Sequence, residues 1–156
     1  MNDHVAPLHP LVEALGRRPG ACFVTTADAD AFCAAPGAHL LVFTEDPDRY
    51  KETLDLAVIV PELAGAFAGR FTIGVLDPAS ARALQPRYGF RRWPAIVLLR
   101  DGVCVGAIDG LRDWDDYLAE LGRLLDADAP AARRAVIPLV AVRASDDAAA
   151  SREVAP

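Results

Sequence analysis

Three kinds of residue in this 156-residue chain have chemistry to offer: cysteines, histidines and a dense run of carboxylates. Cys22, Cys33 and Cys104 are odd in number and widely spaced, which suits reduced cytosolic thiols better than a disulfide framework. Cys22 falls on a predicted strand and Cys33 on the helix after it, so a redox pair between them stays open as a reading. No positive charge or second close cysteine marks either as an activated thiolate. Cys104, in an apolar strand, reads as a core residue. His4, His9 and His39 have no ligand spacing with the cysteines, and no metal is expected. Nor does the chain offer a Ser-His-Asp arrangement, a phosphate-binding Gly-rich loop or paired catalytic carboxylates, so no cofactor and no catalysis are expected. The densest charge lies in "TEDPDRYKETLD", where Glu45, Asp46, Asp48, Glu52 and Asp55 face only Arg49 and Lys51. Such a run either attracts a basic peptide by complementary charge or is a solvated loop whose carboxylates favour the start of the next helix.

Bulk properties narrow the function classes. A net charge of −6, with Lys51 the one lysine, argues against non-specific nucleic-acid binding, which needs clustered cations to neutralise phosphates. The longest apolar runs fall well below the roughly 18 residues that suggest a membrane span. "MNDHVAPLHPLVEALGRR" shows no positive leader followed by an apolar stretch. A soluble, cytoplasmic protein is expected.

The elements that must position these residues follow from periodicity. Pro10 opens a helix with apolar spacing at Leu11, Val12 and Leu15, and "ACFVTT" is a short strand. "ADADAFCAAPG" reads as a short helix, and "AHLLVFT" as a strand apolar on both faces. The acidic loop then leads into an Ala-rich helix that contains Pro61 and ends near Gly69. "FTIGVLD" is a third strand, and Pro78 opens a helix with apolar spacing at Ala83, Leu84 and Tyr88. "AIVLLRDGVCVGAIDG" is a hairpin turning on Asp-Gly. The last helix is apolar at Trp114, Tyr117, Leu118, Leu121, Leu124 and Leu125. Alternation followed by a hairpin demands a mixed α/β sheet covered by helices on both faces. Beyond Asp128 the composition turns to Ala, Asp, Arg and Pro, so residues 129–156 read as a partly disordered extension. Within it "AVIPLVAV", 135–142, is either an edge strand or an apolar docking segment.

"YGFRRWPAIVLLRDG", with the strand at 38–44, the Pro61 helix, "FTIGVLD" and "GAIDG", resembles the thioredoxin fold over about residues 38–126 of a domain spanning 1–128. The resemblance makes Pro94 a cis-proline. It also places the redox Cys-x-x-Cys at Thr53, Leu54, Asp55 and Leu56, where no cysteine stands, and a buried acid at Val42. Dithiol chemistry needs both a nucleophilic thiolate and a resolving partner, so its absence is expected. With the extra N-terminal helix and the E-D-P-x-R loop, the chain resembles the hydrogenase expression/formation proteins of the HyaE, HupG and HoxO type.

That resemblance implies a cytoplasmic accessory protein for a membrane-bound uptake [NiFe] hydrogenase. It would bind the small-subunit precursor and its twin-arginine signal peptide, with a second accessory protein as a further partner. The implied contact surface is Glu45, Asp46, Asp48, Glu52 and Asp55 with Trp93 and Pro94. Arg91 and Arg92 would repel basic residues there, so recognition is expected to be divided between sites. Trp93 either contacts the peptide or packs against the acidic loop. The alternatives are a thiol oxidoreductase using its scattered cysteines, and a generic thioredoxin-like interaction module.

Overall fold

A run of apolar residues with no polar face must be covered on both sides, and the two such runs here take central places in one sheet. The computed structural model describes residues 8–127; the extension with 135–142 lies outside the described residues. The elements are α1 (Pro10–Gly16), β1 (Ala21–Val24), α2 (Ala29–Ala34), β2 (Ala38–Phe43) and α3 (Glu52–Ala66). They continue with β3 (Thr72–Leu76), α4 (Pro78–Tyr88), β4 (Ala95–Arg100), β5 (Val103–Asp109) and α5 (Trp114–Asp126). Strand order is β1-β3-β2-β4-β5, with β1, β3 and β2 parallel and β4 and β5 added antiparallel. With helices on both faces, this is a thioredoxin-like fold. Its sheet reaches ahead of residue 38, because β1 is hydrogen-bonded to β3.

Alternate residues of the central strands feed two cores. Leu40 and Val42 of β2, with Ile96 and Leu98 of β4, pack against Val12 and Leu15 of α1, Val60 and Leu63 of α3, and Tyr117 and Leu121 of α5. Leu41, Phe43, Val97 and Leu99 point the other way, onto Ala29 and Cys33 of α2 and Ala81 and Leu84 of α4. Each large apolar side chain removed from water contributes about 1.5–3 kcal/mol, so the period-2 alternation of β2 and β4 fixes their register.

Four details differ from expectation. Leu11 is 42% exposed because α1 turns Val12 and Leu15 inward. Ala81, not Ala83, joins Leu84 in the core. Trp114, at the first turn of α5, is 40% exposed while Tyr117, Leu121, Leu124 and Leu125 are buried. Finally, α3 runs through Pro61 but stops at Ala66, since Ala68 and Gly69 both adopt positive φ, 52° and 71°.

Candidate binding site

The acidic loop begins where β2 leaves the sheet and is held by its own polar groups. Thr44 is buried and its Oγ1 donates to the Leu76 carbonyl at 2.6 Å. The Glu45 N–H donates to Thr53 Oγ1 at 3.2 Å. Thr53, at a position where a redox thioredoxin would carry its first cysteine, is thus a buried hydroxyl that anchors the loop. The Asp46 carbonyl accepts from the Arg49 and Tyr50 N–H groups, and Asp46 Oδ1 accepts from the Asp48 N–H at 3.0 Å. Short Asp side chains close turns in this way.

Glu45 does not face outward, contrary to the expectation that it meets a partner. Its side chain is 4% exposed, it accepts from the Asp46 N–H at 2.7 Å, and Arg82 of α4 donates to it in an ion pair. A carboxylate taken from water needs such partners. Asp48, Glu52 and Asp55 are exposed, and Asp46 is half-buried.

The second predicted contact lies at the turn before β4. The Trp93–Pro94 peptide bond is cis. Pro94 is buried, so the surface of the turn is made by Arg91, Arg92 and the half-buried Trp93. The indole packs edge-on to Phe90 at a 5.1 Å centroid separation and lies 6.4 Å from Phe43; its aromatic partners belong to the domain core, not to the acidic loop. Asp109, at the end of β5, positions the turn: its Oδ2 accepts from the backbone N–H groups of Arg91 at 2.8 Å and Arg92 at 3.1 Å. Burial disfavours the Asp109 charge, but these two bonds and the charges of Arg112 and Arg92 outweigh it and hold the carboxyl below its ordinary range. Among the described residues, neither the N–H nor the carbonyl of Trp93 has a hydrogen-bond partner.

Two hollows flank the loop. One, of about 450 Å³, is lined by Tyr50, Glu52, Arg91, Arg92, Trp93 and Leu111. The other, of about 750 Å³, is lined by His9, Asp46, Asp48, Asp77 and Arg82, with Glu45 at its wall. The fold therefore divides the predicted site. Glu52 meets Trp93 at the smaller hollow, Asp46 and Asp48 line the larger, and Asp55 stands exposed on α3 outside both. Arg82 has no signal in the local sequence, whereas Asp109, a short acid at a strand end where such side chains stabilise the backbone, holds two main-chain N–H groups.

The thiols occupy separate environments. Cys22 is exposed, Cys33 is buried with Sγ 3.4 Å from Tyr88 Oη, and Cys104 is partly buried rather than enclosed in the core. Burial, with Asp28 nearby, raises the Cys22 thiol, and burial pushes Cys104 up to about 11. Both shifts oppose the thiolate that redox chemistry uses. Among the described residues, no cluster of three or more His, Cys, Asp or Glu is arranged to hold a metal, and no helix is long and apolar enough to cross a membrane.

Comparison with known proteins agrees with the resemblance. The family model of the Hydrogenase-1 expression protein HyaE matches residues 11–117. The chain is 38% identical over 118 residues to the hydrogenase expression/formation protein HoxO of Cupriavidus necator, covering 74% of this chain and 73% of that protein. It is 37% identical over 120 residues to HupG of Rhodobacter capsulatus, covering 76% and 87% respectively. A crystal structure of a chain assigned as HupG from Rhodopseudomonas palustris is 34% identical, with a TM-score of 0.47 over 66% of this chain and 93% of that one. The match across α1 to the first turn of α5 takes in the loop, the smaller hollow, the Trp93 turn and the larger hollow apart from its Leu8 and His9 rim, and the chain belongs to the HyaE family of hydrogenase expression proteins.

Proposed function

We propose that this protein is a binding protein of hydrogenase maturation that holds the small-subunit precursor in the cytoplasm, engaging its twin-arginine signal peptide before export. The proposed action is binding, without catalysis or cofactor. Family membership supports the hydrogenase context. The observation that carries the binding role is the Trp93 main chain, whose N–H and carbonyl are left unbonded among the described residues at the edge of an open hollow. Free main-chain groups beside an apolar side chain suit an extended peptide, which gains hydrogen bonds from the backbone and selectivity from the flanking pockets. The exposed carboxylates of Asp48 and Asp55, with Asp46, lie outside the Trp93 hollow and supply attraction for arginines of the signal peptide.

Co-purification of the full chain with the small-subunit precursor, with and without its signal peptide, tests the reading. Capture of the full precursor and loss of capture on removing the signal peptide are expected. Unchanged capture would overturn the signal-peptide part, and no capture of either form would overturn the reading as a whole.

A further inference from the structure

We infer that the part of the client seated in the Trp93 hollow is an extended segment carrying carboxylates next to apolar side chains, and that its basic residues lie elsewhere. This rests on the reading of the protein as a peptide binder. Arg91 and Arg92 are exposed on the lip of the hollow, and among the described residues neither forms an ion pair. The nearest acid cannot serve them fully. Asp109 Oδ2 is occupied by their backbone N–H groups, and its Oδ1 lies 3.5 Å from Arg112, which also reaches Glu120 at 3.5 Å. Gly110 leaves room for the Arg92 stem, since a Cβ there would stand 3.1 Å from Arg92 Cδ. Glu52 alone among the lining residues carries negative charge.

The rest of the lining is aromatic or aliphatic, apart from Gly110. Leu111 is 39% exposed and, with Trp93 and Tyr50, offers surface to apolar side chains. The unbonded Trp93 main chain suits a strand-like segment. Guanidinium groups free of partners favour carboxylates by charge and by paired N–H donors. Basic residues of the same client are repelled here and favoured by Asp46, Asp48 and Asp77 around the larger hollow.

The test uses the full chain and two labelled Gly/Ser dodecapeptides, one with a central Phe-Leu-Asp-Asp and the other with Phe-Leu-Lys-Lys, read by fluorescence anisotropy. The acidic peptide is expected to bind about tenfold tighter, and Arg91→Glu to remove that preference, as loss of a charge-assisted contact does. Arg91→Gln, an uncharged change at an exposed side chain, should give an intermediate preference with an unchanged melting temperature. Equal affinities, a preference for the lysine peptide, or a dimer that Arg91→Glu dissociates without altering peptide affinity would each overturn the inference. Precursor capture with charge-blind peptide binding sinks the inference and leaves the proposed function standing. A preference for the acidic peptide with no precursor capture does the reverse.

Discussion

On the α4 side of the acidic loop, a buried Glu45 meets Arg82; on the Trp93 side, Arg91 and Arg92 reach solvent with no carboxylate paired to them among the described residues. Consecutive parts of one loop border the two places, Thr44 to Arg49 on the first side and Tyr50 with Glu52 on the second. Glu45 follows directly on the buried end of β2, where Thr44 and Thr53 tie the backbone, so its side chain has nowhere to go but against α4. Arg91 and Arg92 follow Gly89, whose left-handed backbone (φ 69°) ends α4 and turns the chain across the end of the sheet. Their own N–H groups are held by Asp109 while their side chains stay free. Charge drawn into the domain is consumed by folding, and charge at a clamped turn is left for a partner.

The comparison breaks first at Arg82. Replacing it by Met leaves Glu45 enclosed with one backbone donor, and removing one member of a buried pair costs about 3–5 kcal/mol. Since Arg82 is 50% exposed and partly screened, about 2 kcal/mol is expected, read as a lower urea midpoint at unchanged m. Glu45→Gln added to Arg82→Met should recover more than half of the loss, because a neutral amide oxygen still accepts the Asp46 N–H. An unchanged midpoint in the single variant would place Glu45 in solvent and erase the contrast.

What the sequence made legible was local. The apolar runs of β2 and β4, the Asp-Gly hairpin and the Pro78 start of α4 each announce themselves within a few residues, and each stands where expected. The family resemblance added the cis peptide bond at Pro94. Glu45 illustrates what was hidden: the residues that follow it, Asp46, Pro47 and Asp48, are acids and turn formers, and its partner Arg82 sits on α4, so an apparently solvated charge turns out to be enclosed. Leu11 and Val12 are adjacent and equally apolar, and only the seat of α1 against α3 and β3 decides which is buried. The division of the acidic run between two hollows likewise depends on where α4 and the Trp93 turn approach it, which short-range spacing does not encode.

A smaller effect sharpens the Trp93 side. Asp109→Asn keeps an oxygen toward Arg91 and Arg92 but removes the charge, and the loss of charge assistance is expected to cost about 1 kcal/mol at pH 7. The sign with pH follows from the lowered folded-state pKa of Asp109. Its contribution is complete above the ordinary carboxylate value of about 3.9 and disappears as pH falls through the lower folded-state value. The gap between wild-type and Asp109→Asn urea midpoints should therefore be full at pH 7 and shrink below about pH 4. A gap that stays constant to pH 2 would assign the clamp to geometry alone.

The smallest effect on folding is expected at Asp46, which lies on the boundary between the two regimes. Its Oδ1 closes the turn by accepting from the Asp48 N–H, while its charge borders the larger hollow. Asn preserves the acceptor, since both Asp and Asn form this turn, and so Asp46→Asn should change stability by less than about 0.5 kcal/mol. If the charge instead serves a basic client, the same substitution weakens binding of an arginine-bearing signal peptide about threefold, the scale of one partly screened charge contact. Asp46→Ala removes both functions and should lower stability as well as binding. Equal binding by wild type and Asp46→Asn would reduce Asp46 to a turn former, and the exposed carboxylates of Asp48 and Asp55 would then have to account for any attraction of basic peptides.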